Sequence, residues 1–378
     1  MLLSSCANSA PTMKAEPDSF NTNYTFVFVH GLSGWGSYDF QNHFLKYWGM
    51  RGGDLMKYLN EQGFDCVSAS VAPHGSAWDR ACELYAQLSG TVVDYGKEHS
   101  KRCNHERFGR DYSKEPLIEK WDGENKINLL GHSFGGATVR LLSELMANGS
   151  EAERNATDKD DLSPLFEGGK ADWIYSITAL ASPHNGTTAY DVSDVEDDVP
   201  DTLKYKVQDK LNSAVAAANK VDDKDVKAAF DNANYDMLLD NAKALNDSIS
   251  TLENVYYFSV PCTATVKQDD GTYLPDESKM EAMFVKTSRK MGKFTETSAG
   301  GITADESWYE NDGLVNTISA RAPFDAPQKE YAEGDVKTGE WNIMPTYDGD
   351  HMALQGGLSK KNDVRDFYVE HLSRINNL

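Results

Sequence analysis

Basic residues are scarce in this 378-residue sequence: 37 Lys and Arg stand against 59 Asp and Glu, a formal net charge of −22. A surface of that sign repels nucleic acid and anionic lipid headgroups, which argues against any basic-groove binder. It reads as the solvated surface of a secreted protein. Long apolar runs are missing too, and none approaches the roughly 18 residues that a membrane span needs. Cysteine is sparse, with Cys66, Cys82, Cys103 and Cys262 left once Cys6 near the start is set aside. Four thiols allow three pairings, their spacing selects none, and so long a chain with so few is not a disulfide scaffold. Core material is plentiful: 40% of residues are hydrophobic and 11% aromatic, enough for one large domain or two ordinary ones.

The first 22 residues read MLLSSCANSAPTMKAEPDSFNT. Leu3-Ser4-Ser5-Cys6 resembles a bacterial lipoprotein cleavage box, in which the cysteine becomes the lipidated first residue. A basic leader and most of an apolar segment are not in these residues, so two readings stay open. One is the remnant of a trimmed signal with Cys6 as a membrane tether; the other is a disordered tail with a chance cysteine. Either way, residues 1–21 are expected to lie outside the fold and 22–378 to form a single domain.

Along the rest of the chain, short apolar runs alternate with helical patterns, as in a mostly parallel central sheet with helices on both faces, the α/β class. Strands are predicted at Tyr24–Val29, Phe64–Val71, Lys126–Leu130, Trp173–Ala181 and Val255–Val260. A short amphipathic helix is predicted after Asp54, capped by that residue and ended by Gly63, and a closing helix over Asp363–Ile375. From Thr188 to about Ser250 the rhythm changes. This segment is rich in Ala, Asp and Lys and has no buried-strand pattern, so residues 188–250 read as a helical lid or cap inserted between two strands.

Lys126 opens the most informative stretch, KINLLGHSFGGATVRLLSELMANG. A strand ends at Leu130, Gly131-His132-Ser133-Phe134-Gly135 follows, and a helix runs on to Asn148-Gly149. This is the nucleophile elbow G-x-S-x-G in the strand-and-helix context that it requires. The turn sets Ser133 at the positive end of a helix, where a developing oxyanion is favoured. Such a serine needs an acid and then a histidine further along. Of nine histidines, only His351 and His371 lie well beyond the elbow with room for an acid before them. His371 sits in the predicted closing helix, where packing is the default, whereas His351 lies in the polar loop TYDGDHMALQG. The acid is expected at Asp312, on the tight turn of ENDGLVN, to hold the imidazole tautomer. The oxyanion hole should use the amide of Phe134 and one from the loop HGLSGWG, at Leu32. A separate stretch, KEHSKRCNH, places two histidines and a cysteine within seven positions (His99–His105).

In order along the chain come FVHGLSGWG, KYWG with RGGD, SAWDRACELYAQLSGTVVDYG, RFGR, GHSFGG, LSPLFEGG, SPHNGTT, WYENDGLVNT and DGDH. With these motifs the chain resembles the large zinc-containing bacterial lipases, thermophilic Bacillus-type and staphylococcal, over residues 26 to about 370. The resemblance implies an α/β-hydrolase that cleaves acylglycerol esters, with the triad at Ser133, Asp312 and His351. It also implies a zinc subdomain over about 76–112 with Asp79, His99 and His105 as ligands. The family's fourth ligand comes from a cap segment that this chain lacks in recognisable form; Asp222, Asp223, Asp225 or water are the candidates. Cys103, one helical turn after His99, is a further one, since i and i+4 share a face. The calcium site implied by the family lacks its carboxylates here: the positions read Met352-Ala353 and Gly357-Leu358-Ser359. No calcium is therefore expected.

The start of the lid, AYDVSDVEDDVPDTLKYKVQ, is acidic where a lipase lid has an apolar face, so weak interfacial activation and shorter acyl chains are expected. The substrate class implied is an acylglycerol or other fatty-acid ester, with no obligate protein partner in evidence. A phospholipase, a polyester hydrolase and a non-catalytic module on the same fold are the alternatives.

Overall fold

The computed structural model describes residues 14–15, 17–192, 230–358 and 362–378. Among them a seven-stranded sheet forms the centre. Its strands are β1 Thr25–Val29, β2 Cys66–Ala69, β3 Ile127–His132, β4 Ile174–Leu180, β5 Tyr256–Val260, β6 Gln328–Glu330 and β7 Trp341–Ile343. They lie in the order β6-β7-β5-β4-β3-β1-β2, and every neighbouring pair is parallel. The helices used below are α1 Leu55–Glu61, α2 Ala77–Ser89, α3 Lys97–Cys103, α4 Gly135–Asn148, α5 Leu239–Asp247 and α6 Arg365–Asn376.

Successive side chains of a strand point to opposite faces, and in a parallel sheet both faces must be covered. The hydrophobic runs obey this rule. Val27, Val29, Leu129 and Ile177 pack on one face with α2 and α4. Phe26, Phe28, Leu130, Leu180 and Phe258 pack on the other with α1 and α6. Helix α1 starts where expected, the Asp54 carboxylate accepting from the Lys57 amide at 3.0 Å, one of the orphan donors of a first turn.

The two strands at one edge, β6 and β7, have no counterpart among the predicted strands. Each has three residues, and Gln328-Lys329-Glu330 is polar throughout, so neither shows a periodicity that a sequence can reveal. The predicted boundary at residue 21 also shifts. Phe20 stacks on Phe64 at 5.5 Å, and the Asn21 and Thr22 amides both donate to the Asn376 carbonyl at 2.9 Å. Residues 17–21 therefore pack on the domain instead of standing apart from it. Burying Phe20 against another aromatic ring outweighs the polarity of its neighbours.

Within residues 76–112, α2 belongs to the main core, while an antiparallel pair, Val92–Asp94 with Phe108–Asp111, encloses α3. The predicted lid lies between β4 and β5. Most of its acidic beginning falls outside the described residues, as do Asp222, Asp223 and Asp225. Its described end is helical, with α5 on the predicted segment.

Helix α4 approaches β1 so closely that a Cβ on Gly135 would lie 2.4 Å from the Val29 carbonyl oxygen. The atoms it would meet are all backbone, of Val29 and His30, so no side chain can rotate to relieve the clash. We expect Gly135→Ala to destabilise the fold by about 3 kcal/mol, at the upper end of overpacking effects. Thermal unfolding beside a surface substitution such as Ala244→Ser checks this.

Candidate active site

The site is built at the carboxyl ends of β1 and β3. β3 runs into Ser133, whose backbone is left-handed at φ 55°, a conformation rarely adopted by residues other than Gly, Asn or Asp. The neighbouring positions must be glycine for a different reason. A Cβ on Gly131 would lie 2.4 Å from backbone atoms of Gly135, and one on Gly136 would lie 1.8 Å from Ser182 Oγ. The strained turn pushes Ser133 Oγ clear of its own strand, where it donates to His351 Nε2 at 2.8 Å. His351 Nδ1 donates in turn to Asp312 Oδ2 at 2.9 Å.

Asp312 is almost wholly buried, with 1% exposure. Its other oxygen accepts from the amides of Leu314 at 3.0 Å and Val315 at 2.7 Å. The Asn-Asp-Gly turn thus fixes the carboxylate before any histidine reaches it. The His351 amide donates to the Asp312 carbonyl at 2.9 Å, tying the two loops by backbone as well as side chain. The amides of Leu32 and Phe134 donate to no protein acceptor among the described residues.

Three residues that the motifs did not single out brace this chain. His132 is buried, and burial first, then the nearby His351, hold it well below the ordinary imidazole range. Being neutral, it has one donor and one acceptor. Its Nε2–H donates to the His351 carbonyl at 2.9 Å. Its Nδ1 accepts from Tyr47 Oη at 2.8 Å and from Gln355 Nε2 at 2.7 Å. The Tyr47 hydroxyl accepts from the Gly31 amide at 2.9 Å, so one network reaches both the histidine loop and the HGLSG loop.

Arg80, fully buried, holds the other side of that loop. It donates through Nη2 to the His30 carbonyl and through Nη1 to the Gly31 carbonyl at 3.4 Å. Its guanidinium lies 5.1 Å from the centre of the Phe134 ring. Burial pulls its pKa down to about 10, still well above neutral pH, so it remains a cation. His30 is neutral, lowered to about 3 by burial and by Arg80. Its Nε2 accepts from the Val71 amide at 3.2 Å.

A second cluster surrounds α3. The helix ends at Cys103 and Asn104 turns the chain at φ 59°. That bend lets His105 swing back beside His99. His99 Nε2 lies 3.1 Å from Asp79 Oδ1 and 3.4 Å from Asp231 Oδ1. His105 Nε2 lies 3.8 Å from Asp79 Oδ1 and 3.3 Å from Asp231 Oδ2. Tetrahedral coordination with bonds of about 2.0–2.1 Å places ligand atoms about 3.3–3.4 Å apart, close to these spacings. His105 Nε2 is buried with no hydrogen-bond partner, as a metal-directed lone pair would be.

His99, Cys103, His105 and Asp231 also offer donor atoms within 4.8 Å of one another and could hold a metal ion. Cys103 Sγ stands 3.8 Å from His99 Nδ1, the ring nitrogen opposite the one that faces Asp79. Cys103 and Asp79 are thus competing candidates for one position. Asp231, in a stretch FDNANYD that carries no ligand-like spacing of its own, lies within reach of both imidazoles, while the candidates Asp222, Asp223 and Asp225 fall outside the described residues.

Beside His351, the loop at the expected calcium position holds a buried Ala353. Two carboxylates, Asp350 of this loop and Glu281 from elsewhere, lie against it. Asp350 Oδ2 accepts from the Glu281 amide at 2.6 Å, and Glu281 Oε1 accepts from the Leu358 amide at 2.9 Å. Burial raises Asp350 to about 6, with Glu281 and Asp312 adding to the effect.

The parallel sheet, the elbow and the Ser-His-Asp hydrogen-bond chain define an α/β-hydrolase-like protein. The chain belongs to the lipase-like family, whose description is "Lipase-like, C-terminal domain" and whose profile matches residues 22–211 and 202–373. It is similar to Lipase 1 of Staphylococcus aureus, with 31% identity over 95% of this chain. It spans 55% of the length of that curated relative. Among solved structures it resembles EstA from Clostridium botulinum, with a TM-score of 0.81 and 34% identity, covering 97% of this chain and 91% of that one. Staphylococcus hyicus lipase superposes with a TM-score of 0.76 at 27% identity, over 97% and 98% of the two chains.

Because Arg80 grips two carbonyls of the HGLSG loop, Arg80→Lys should loosen the oxyanion pocket. A point-like ammonium cannot replace a guanidinium fork. We expect phosphonylation of Ser133 to slow about 100-fold, as for misplacement of a donor by about 1 Å. The melting curve should remain cooperative. Stopped-flow labelling with a nitrophenyl phosphonate measures the rate, and an unchanged rate would assign Arg80 a purely structural part.

Proposed function

We propose that the protein is a carboxylic ester hydrolase of the lipase type, acting on acylglycerols or related fatty-acid esters. One observation carries the reading: the continuous hydrogen-bond chain from Ser133 through His351 to Asp312. Ser133 Oγ attacks the ester carbonyl as His351 Nε2 takes its proton, and Asp312 holds the imidazolium that forms. The amides of Leu32 and Phe134 receive the oxyanion, each such donor supplying about 3 kcal/mol. Collapse expels the alcohol, which takes the proton from His351. Water then cleaves the acyl-Ser133 ester by the same path, restoring the free serine.

A phospholipase or polyester hydrolase would use the same steps on another ester. A non-catalytic binding module would tolerate loss of a triad member, and the intact chain favours an enzyme. The test is labelling by a fluorophosphonate together with hydrolysis of nitrophenyl esters graded by chain length. Wild type should label stoichiometrically and turn over, whereas Ser133→Ala should neither label nor retain more than about 10⁻⁴ of kcat. A wild-type protein that labels no ester-reactive serine would sink the proposal. The acidic lid beginning supports the further expectation of shorter acyl chains and a weak response to an oil surface, readable from the same panel.

For the second cluster we infer a structural zinc site formed by Asp79, His99, His105 and Asp231. Two imidazoles and two carboxylates suit a borderline-soft divalent ion. Zinc there would tie α2, α3 and the segment at Asp231 together, with no part in the chemical steps. No calcium is assigned beside His351. Elemental analysis should find one zinc per chain, retained by Cys103→Ser and lost in Asp79→Ala and Asp231→Ala. Chelation should lower the melting temperature, since an ion held at 1,000 times its Kd stabilises by about 4 kcal/mol. An Asp79→Ala protein that kept its zinc would overturn this ligand set.

The acidic surface supports a secreted enzyme, and Cys6 remains the candidate tether. Among the described residues no helix is long and apolar enough to cross a membrane.

A further inference from the structure

A cavity of about 480 Å³ opens between α4, α5, β5 and β7. No triad residue lines it. At its inner wall lies Arg140, only 3% exposed. Two of its five donor hydrogens are engaged, by His184 Nδ1 at 3.3 Å and Asn246 Oδ1 at 2.7 Å. Both are neutral acceptors: His184 is buried, and burial, then Arg140, hold it well below the ordinary imidazole range. Trp341 lies 6.0 Å from the guanidinium carbon. Among the described residues Arg140 forms no ion pair with any carboxylate, in a chain that has 59 of them.

Buried charges are ordinarily paired, because an unpaired one forfeits its hydration without return. The charged groups at the cavity mouth do not change this. Lys243 pairs there with Asp247 at 2.8 Å and with Asp325 at 3.9 Å, so each acid already faces a cation. The remaining wall is largely apolar, with Trp341, Ile249, Phe324 and Pro327 contributing. A buried cation with spare donors at the end of an apolar cavity of ligand size is the arrangement that selects an amphipathic anion.

We propose that this cavity binds the carboxylate of an aliphatic acid, its head on Arg140 and its chain along the apolar wall. The requirement for an anion rests on Arg140. The choice of an aliphatic acid rests also on the ester-hydrolase reading, whose product is such an acid. Arg140 lies on the helix that follows Ser133, and no triad residue lines the cavity, so a product held there would not block the catalytic unit.

Calorimetry with octanoate on the Ser133→Ala protein tests the proposal without needing catalysis. Octanoate should bind, octanol at the same concentration should not, and inorganic phosphate should bind at least ten-fold more weakly. In the same background Arg140→Gln should reduce octanoate affinity at least ten-fold. Ala326→Trp, which fills the cavity and leaves Arg140 in place, should abolish binding, so the test survives if Arg140→Gln does not fold. Octanoate binding that is absent, or unmoved by the variants that fold, overturns the site. Phosphate or octanol binding as tightly as octanoate overturns the ligand class. Ester hydrolysis by the wild type is measured separately. Its failure would count against the proposed function while the calorimetry still decides whether Arg140 holds an anion.

Discussion

Helix α4 begins against bare backbone. Gly135 lets its first turn touch the end of β1, Gly136 lets it touch Ser182 after β4, and Gly131 keeps the preceding strand clear of the same turn. Without that contact Ser133 would have no reason to hold φ 55°, and its hydroxyl would not be lifted toward His351. The strain in the serine is maintained by packing on every side of it, as strained functional residues must be. The two loops that complete the site, at Asp312 and His351, are then tied to each other by backbone and side-chain bonds. The serine is therefore set by the sheet and α4, and its partners are set by loops that can vary without moving it.

Arg80 and Asp79 are adjacent on α2 yet face different tasks. Arg80 reaches through the core to the carbonyls of His30 and Gly31, while Asp79 turns outward to His99 and His105. The helix that carries both is anchored at its start by Ser76, whose hydroxyl accepts from the Asp79 amide at 3.2 Å. Ala77 donates to Asp236 at 2.7 Å, bringing in the segment that also carries Asp231. Burial first, then the neighbouring charges of Asp231 and Asp79, raise Asp236 to about 7. An ion between Asp79 and Asp231 would reduce the mutual repulsion of these carboxylates and fix the end of α2 from which Arg80 projects. Such an ion would link a site remote from the serine to the HGLSG loop through Arg80.

The five central strands and the serine were legible because buried parallel strands leave unbroken apolar runs and the elbow leaves its glycines in fixed order. Asp312 and His351 could be selected because their loops are short, polar and follow the serine in the expected order. What sequence could not show is whatever depends on distance across the fold. His132 looks like the variable position of a motif, yet it fixes the His351 carbonyl; Tyr47 and Gln355 join it from opposite ends of the chain. Asp231 meets His99 only after α3 and its αL turn have folded. The three-residue strands β6 and β7 are made by pairing, β7 on β5 and β6 on β7, not by their own pattern. The stacking of Phe20 on Phe64 draws residues 17–21 onto the domain, where composition had placed the boundary after residue 21.

The two buried arginines bring out one consequence of these packing rules. Arg80 is enclosed, with its terminal nitrogens on backbone carbonyls and the Phe134 ring close against it, so its charge is spent within the protein. Arg140 is as deeply placed but opens onto a cavity, and its bonded neighbours are uncharged. A net charge of −22 should have made a carboxylate partner easy to supply, and the nearby helix α5 ends in Asp247. Lys243 takes Asp247 and Asp325 at the mouth instead. If charge compensation alone governed the placement of acids, the deeper cation would hold one of them, because a pair is stronger where water is excluded. The acids stop at the rim, and the inner guanidinium retains donors suited to an anion from outside the chain.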